Sequence, residues 1–165
     1  MTRHIVFAAA LGAAVALGVP AAAIAAPAPV SAVTHVQADR AVGATTDHNL
    51  GLDGQCTWGA YEKFHEATQR WPLFSGNAAD WSASARNNGW TVVLDAEVRS
   101  IVVFAPGVQG ADPTYGHVAW VDNVEMRPDG TRWISITEMN GAAGPGKWSN
   151  RTIQDVVGMS YILAP

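Results

Sequence analysis

The sequence has very little cysteine, and this scarcity limits the kinds of site and cross-link that it can form. The 165-residue chain contains one cysteine, Cys56, so an internal disulfide is impossible and a cysteine-rich zinc site is excluded. A single thiol has three common roles: a reactive group, a partner in an intermolecular disulfide, or a small buried apolar side chain. Composition alone leaves all three roles open.

Basic side chains are also few. The sequence has 10 lysines and arginines against 14 aspartates and glutamates, which gives a formal net charge of −4. A nucleic-acid partner requires a basic surface that neutralises phosphates, so this balance argues against nucleic acid as a partner. It also argues against binding to an anionic polymer or a membrane by bulk charge.

The sequence lacks an apolar run long enough to cross a bilayer. Its N-terminal run, residues 5–19, falls short of the roughly 20 residues that a spanning helix needs. Arg3 and His4 precede this run, and Ala23–Ala25 follows it with an A-x-A cleavage pattern. We therefore predict a signal peptide at residues 1–25 and a secreted protein, extracellular or associated with the cell wall, with no stable membrane insertion after cleavage. An uncleaved membrane anchor is the alternative.

Residues 26–50 have the composition of a flexible linker. Prolines, serine and threonines open this stretch, and glycine, threonines, Asp47 and Asn49 close it, without a sustained hydrophobic period. We predict a linker over residues 26–50 and a single folded domain over residues 51–165.

The folded part begins with helical patterns and continues with strand-like ones. Apolar residues at helical spacing predict a helix from Cys56 to Thr68, and Asn77 and Gly89 mark the limits of a second helix over residues 78–87. The remaining apolar runs predict an antiparallel sheet, so the fold class is α+β. The predicted strands are Ser100–Phe104, His117–Val124, Trp133–Asn140, Lys147–Ile153 and Met159–Leu163.

Cys56 stands at the predicted start of a helix, where free N–H groups and the helix dipole favour a thiolate. His117 opens a strand, and Glu138 and Asn140 alternate on one face of another, where either could hold an imidazole ring. The order along the chain, cysteine first, then histidine, then a polar orienting residue, is also that of papain-like enzymes. The alternatives are an inert buried thiol, a structural histidine and a glutamate paired at the surface.

Five segments carry a family resemblance. In chain order they are Gly54–Trp58 (GQCTW), Gly76–Trp81 (GNAADW), Val102–Phe104 with Pro106–Gly107, Gly116–Val121 (GHVAWV) and Ile136–Asn140 (ITEMN). Together they resemble the CHAP domain, the cysteine- and histidine-dependent amidohydrolase/peptidase family. The resemblance implies a papain-like fold, similar to NlpC/P60 domains, in which N-terminal helices pack on an antiparallel sheet.

The same resemblance implies an enzyme. CHAP proteins mostly hydrolyse peptidoglycan, either as N-acetylmuramoyl-L-alanine amidases or as endopeptidases of stem or cross-link peptides. By this resemblance Cys56 is the nucleophile, His117 the general base and later the acid, and Glu138 and Asn140 the orienting residues. Gln55 contributes to the oxyanion hole. No cofactor or metal is expected, since residues 47–53 have carboxylates only at their ends and lack the alternating ligands of a calcium loop.

Three aromatic residues near these motifs are candidates for lining a substrate groove: Trp58, Tyr115 and Trp148. For Trp58, packing in the core is the competing interpretation, because it lies among apolar neighbours on a predicted helix. We expect a monomer that acts on wall peptides. Two other functions stay open, namely a catalytically silent module that binds wall peptides or a protein partner, and a structural protein that dimerises through its thiol.

Overall fold

The computed structural model describes residues 38–165. The predicted signal peptide and residues 26–37 of the predicted linker lie outside the described residues. Two α-helices, α1 (Cys56–Thr68) and α2 (Trp81–Asn87), precede most of the strands. The β-strands are β1 (Thr45–Thr46), β2 (Trp71–Pro72), β3 (Val92–Val93), β4 (Ser100–Phe104), β5 (His117–Met126), β6 (Arg132–Met139), β7 (Trp148–Gln154) and β8 (Met159–Leu163).

Six strands form one antiparallel sheet in the order β3-β8-β4-β5-β6-β7, and β1 pairs with β2 separately. Strand β4 is central and bonds to β8 on one side and to β5 on the other. Turn residues 127–130 join β5 to β6, with the Gly130 N–H bonded to the Arg127 carbonyl. The predicted α+β class with an antiparallel sheet is confirmed.

Helix α1 has the predicted limits. It ends where Gln69 adopts left-handed backbone angles (φ 59°) and donates its N–H to the carbonyl of His65. Its buried face carries Tyr61 and Phe64, which pack against the sheet and α2. Complete burial of an aromatic or aliphatic side chain of this size contributes about 1.5–3 kcal/mol. This face therefore fixes α1, and with it Cys56, against the sheet.

The sheet has an apolar core on each of its two faces. Side chains of β4 alternate, so Ile101 and Val103 join the cluster under the helices while Val102 and Phe104 join the cluster on the opposite face. All four side chains are buried. A strand that is buried on both faces holds its neighbour β5, and hence His117, in a rigid position.

The structure departs from the predicted elements only locally, and the limits of β5, β6 and β7 differ from the predicted ones by one or two residues. A 3-10 turn, Ala78–Asp80, precedes α2, and the side chain of Asn77 caps neither element. The strands β1, β2 and β3 have two residues each and were not predicted. Strands this short carry no hydrophobic period that a sequence could reveal.

Residues 38–50, at the end of the predicted linker, contact the domain instead of extending from it. Strand β1 pairs with β2, and the Trp90 indole N–H donates to the carbonyl of Ala44 at 3.0 Å. Arg40 is largely buried beside Glu97, with its Nη2 atom 2.9 Å from Oε2 of that residue. Within residues 38–165, helices are too short or too polar to cross a bilayer.

Candidate active site

The local backbone places Cys56 at the first position of α1. Gly54 has left-handed angles (φ 76°), and Gln55 returns to extended angles as the residue before the helix. The first N–H groups of a helix have no intrahelical acceptor, and the helix dipole adds positive potential there. The Cys56 side chain therefore sits where a thiolate is favoured.

His117 is the first residue of β5 and pairs with Phe104 at the end of β4. Gly116 before it has φ 71°, and a Cβ atom there would lie 2.5 Å from the Phe104 carbonyl oxygen. Only glycine fits this approach, which sends the chain into the strand with the imidazole ring buried. Upstream, Asp112 accepts the N–H groups of Thr114 and Tyr115 at 2.8 Å each and tightens the turn.

Glu138 lies on β6 beside the imidazole. Its Oε2 atom is 2.9 Å from Nε2 of His117, and the glutamate is 1% exposed. Arg151 on β7 donates Nε–H to both carboxylate oxygens, at 3.0 and 3.1 Å. The buried carboxylate is thus held between an imidazole and a guanidinium.

These contacts shift the pKa values of the thiol and the imidazole in opposite directions. Burial raises the pKa of Cys56, but the hydrogen bond and charge of His117, with the N–H groups of Val118 and Thr57, outweigh it and lower the pKa. Burial lowers the pKa of His117, while its hydrogen bonds and charge interactions with Cys56 and Glu138 raise the pKa to about 9. Both shifts favour a thiolate and an imidazolium over a neutral thiol and a neutral imidazole.

The carboxyl group of Glu138 stays ionised. Burial raises its pKa, but the hydrogen bond from His117 and the charge of Arg151 together lower the pKa below its ordinary value. A carboxylate has only acceptor oxygens, so Nε2 of His117 is the donor in this contact. The other ring nitrogen, Nδ1, is left to face the thiol.

Asn140 and Gln55 contact each other. Asn140 lies beyond the last residue of β6 with φ 54°, so the strand alternation expected between Glu138 and Asn140 does not extend to it. Its Nδ2 atom donates to Oε1 of Gln55 at 2.7 Å. Among the described residues, Glu138 is the hydrogen-bond partner of the imidazole besides the thiol, so the expectation that Asn140 also orients His117 does not match the geometry.

A cleft has two lobes that meet at Cys56. Its larger lobe has a volume of about 580 Å³ and its smaller lobe about 380 Å³. Gln55, Cys56, Tyr115 and Gly116 line both lobes. The larger lobe adds charged and polar groups, namely His117, Glu138, Arg151, Asp112 and Gln109. The smaller lobe adds Leu50, Leu52, Tyr61 and Trp81 beside the polar Thr57, Ser75 and Asn77. The thiol therefore lies between a lobe with charged groups and a more apolar lobe.

The three aromatic candidates for the groove have different positions. Tyr115 is 57% exposed and lines both lobes. Trp148 is 43% exposed but packs against α1 at Gly59 and lines neither lobe. Trp58 is half-buried and belongs to neither the lobes nor the apolar clusters, so neither interpretation of it matches the structure.

Arg151 is the site residue that the sequence did not indicate. Its strand was predicted, but its position beside Glu138 depends on the register of β7 against β6, which pairs Ser149 with Glu138. Arg151 is two positions beyond Ser149, so its side chain lies on the same face of the sheet as that of Glu138. Within residues 38–165, no group of three or more histidine, cysteine, aspartate or glutamate side chains could hold a metal ion.

Comparison with known proteins gives consistent matches. The family model of the CHAP domain matches residues 46–140. "Probable autolysin SsaALP" of Staphylococcus aureus is 35% identical over 105 residues, which are 64% of this chain and 36% of that protein. "N-acetylmuramoyl-L-alanine amidase sle1" of Staphylococcus saprophyticus is 34% identical over 69% of this chain and 32% of that protein. "Staphylococcal secretory antigen ssaA2" of Staphylococcus aureus is 33% identical over 67% of this chain and 37% of that protein.

A solved structure is also similar. The crystal structure of an N-acetylmuramoyl-L-alanine amidase from Staphylococcus aureus has a TM-score of 0.54 and 34% identity, over 68% of this chain and 30% of that chain. The matched region spans about a third of the length of each of these relatives.

Proposed function

The chain belongs to the CHAP domain family, and from that premise we propose that it is a hydrolase of peptidoglycan amide bonds with Cys56 as its nucleophile. The observation that carries the proposal is one chain of contacts: the thiol bonds to His117, and His117 bonds to the buried Glu138. The names of the relatives, an autolysin and amidases, support peptidoglycan as the substrate. The secretory antigen among them supports action outside the cell.

The first half of the reaction forms a thioester. The Cys56 thiolate attacks the carbonyl carbon of the scissile amide, and the oxyanion is held by the Cys56 backbone N–H and the side-chain amide of Gln55. The imidazolium of His117 gives its proton to the amide nitrogen as the carbon–nitrogen bond breaks. The amine leaves, the acyl group stays on sulfur, and His117 is neutral.

The second half releases the acid. Neutral His117 takes a proton from a water molecule, and the resulting hydroxide attacks the thioester carbonyl. The carbon–sulfur bond breaks, the carboxylic acid leaves, and the thiolate and imidazolium are restored. Glu138 keeps Nδ1 of the ring facing sulfur throughout, because its contact with Nε2 is made on the opposite side of the ring.

The two lobes give the substrate a direction. His117 must reach the leaving nitrogen and lines only the larger lobe, so the amine part of the substrate binds there. The acyl part then extends into the smaller, more apolar lobe. Because two lobes meet at Cys56, the site has room for groups on both sides of the scissile amide. The names of the relatives favour the bond between the lactyl group and the first alanine, and an endopeptidase cut within the peptides is the alternative.

The test is digestion of purified peptidoglycan by the protein and by its Cys56→Ala variant, with mass spectrometry of the soluble products. We expect release by the wild type and none by the variant. Stem peptides with a new N-terminal alanine identify an amidase, and cleaved cross-links identify an endopeptidase. Equal release by the two proteins contradicts Cys56 as the nucleophile. Tight binding to the wall by both, with no products, favours a silent binding module instead.

A further inference from the structure

The contact between Asn140 and Gln55 joins two distant parts of the chain beside the thiol. The Asn140 backbone N–H bonds to the Lys147 carbonyl at 3.2 Å, and its left-handed φ of 54° turns the chain out of β6. Asparagine accepts these angles more readily than most residues with a side chain. The turn brings Nδ2 within 2.7 Å of Oε1 of Gln55, 85 positions earlier in the sequence.

This bond determines which end of the Gln55 amide is free. A glutamine amide has an acceptor oxygen on one side and a donor nitrogen on the other. Since Oε1 accepts from Asn140, the opposite group, Nε2, is the one left over. Among residues 38–165, Nε2 of Gln55 has no protein acceptor, and Gln55 lines both lobes of the cleft next to Cys56.

The opposite orientation would work against catalysis. With Oε1 toward the substrate, a partial negative charge would face the oxyanion that forms when the thiolate attacks. We propose that Asn140 is a positioning residue that holds Gln55 with Nε2–H directed at the oxyanion. This inference rests on the hydrolase function proposed above and assigns Asn140 a role different from orienting His117.

A second hydrogen bond connects the segment around Gln55 with the segment around Asn140. The Gly146 N–H donates to the Gly54 carbonyl at 2.8 Å, so the loop over residues 141–146 is bonded to the turn that precedes Gln55. Helix α1 also approaches β6 closely, and a Cβ atom at Gly59 would lie 2.6 Å from Cβ of Met139. Asn140 is therefore held at a set distance from Gln55 by its neighbours on both sides.

The test uses variants that change the bond in different ways. Asn140→Gly removes the side chain without straining the left-handed backbone, whereas Asn140→Asp supplies only acceptor oxygens. An aspartate would force Gln55 to turn its NH₂ group toward residue 140 and its oxygen toward the substrate. On a soluble muropeptide cleaved by the wild type, we expect kcat to fall about tenfold in the glycine variant and further in the aspartate variant, with KM little changed. Loss of a whole oxyanion donor costs about 10²–10³-fold in kcat.

Two further measurements separate positioning from other roles. The pH dependence of Cys56 alkylation by iodoacetamide should be the same in Asn140→Gly and the wild type, because the thiol and imidazole keep their partners. In a Gln55→Ala background, Asn140→Gly should cause no further loss of kcat. Ala143→Ser, in the same loop and outside the lobes, serves as the control, and thermal unfolding checks that each variant is folded.

Several results would overturn the inference. Wild-type activity in Asn140→Asp would mean that Gln55 donates to Asn140, which reverses the assigned orientation. Additive losses in the double variant, or a shifted alkylation profile in Asn140→Gly, would place Asn140 outside the oxyanion site. If the variants match an active wild type, this inference fails while the proposed function stands. If the wild type itself cleaves no peptidoglycan, both fail.

Discussion

His117 donates a hydrogen bond from Nε2 to Oε2 of Glu138 across 2.9 Å, with both side chains buried. The carboxylate is ionised in the interior because this hydrogen bond, together with the charge of Arg151 on its other side, lowers the pKa of Glu138 despite burial. The contact does two things for the reaction: it fixes the tautomer of the ring, and it stabilises the imidazolium form. Both effects are open to measurement.

Replacement of Glu138 by glutamine should shift the pH profile of activity. The alkaline limb of kcat/KM reports loss of the His117 proton, and the contact with Glu138 is one of the causes that raise the pKa of His117 to about 9. Without the anion the pKa of His117 falls, so the alkaline limb moves to lower pH. We expect kcat to fall by up to about 10²-fold, the lower end of what general acid–base catalysis contributes.

The control for this change is Glu125→Gln, which alters an exposed carboxylate on β5 outside the cleft. Its pH profile should overlay that of the wild type. An alkaline limb that stays in place in Glu138→Gln would show that the carboxylate does not govern the imidazolium.

Arg151→Gln should reduce both stability and activity. The buried carboxylate of Glu138 would keep His117 and a long contact to the Ser149 hydroxyl at 3.5 Å as its partners. An unsatisfied buried polar group costs about 1–3 kcal/mol, more when it is charged, so we expect a loss in that range by urea denaturation. Arg151→Lys should recover part of it, because lysine keeps the charge but not the forked geometry. Unchanged stability in Arg151→Gln would mean that water replaces the guanidinium.

The elements with a strong local signal were predictable from sequence. Helix α1 and strands β4 and β8 have the predicted limits, because α1 has a regular apolar face and each of the two strands is a short, mostly apolar run. A cysteine at a helix start and a histidine at a strand start are also local features, and they made Cys56 and His117 candidates for the site. The resemblance to the CHAP domain supplied the roles of these two residues.

The contacts of the other site residues depend on tertiary structure. The bond from Arg151 to Glu138 requires the register of β7 against β6, and that of Asn140 requires the chain to leave the strand at Met139. Neither register nor a left-handed turn at a non-glycine residue leaves a pattern in a single sequence. For that reason the sequence indicates neither the contact of Asn140 with Gln55 nor that of Arg151 with Glu138.

Gly141→Ala tests how closely the loop packs over the carboxylate. A Cβ atom at this position would overlap the carboxylate of Glu138, so the glutamate or the loop must move. Overpacking of a buried site lowers the free energy of unfolding by about 1–3 kcal/mol. A displaced Glu138 would also lose its hydrogen bond with His117. We expect lower kcat and a lower melting temperature. In the neighbouring Ala143→Ser, whose side chain is exposed, both quantities should stay at wild-type values. Full activity in Gly141→Ala would mean that the loop yields without moving Glu138.

Arg40→Ala tests whether the segment before residue 51 is part of the folded domain. The Arg40 guanidinium donates to the carbonyls of Arg99 (2.9 Å), Ala164 (2.6 Å) and Val98 (2.9 Å) as well as to the Glu97 carboxylate. Removal of one partner of a buried ion pair costs about 3–5 kcal/mol. Since these side chains keep 14% and 9% exposure, we expect a loss of about 3 kcal/mol in urea denaturation.

The matched control for Arg40 is Arg86→Ala, because Arg86 is exposed on α2 and its removal should change stability by less than about 0.5 kcal/mol. A protein that begins at residue 51 loses Arg40 together with β1, so it should be at least as destabilised as Arg40→Ala. If both altered proteins unfold at the wild-type urea midpoint, residues 38–50 add nothing to the domain and behave in solution as the linker that composition suggests. If both are destabilised, the folded unit extends toward the N-terminus at least as far as Arg40. The bond from Arg40 to the carbonyl of Ala164 then joins the end of the predicted linker to the residue that follows β8.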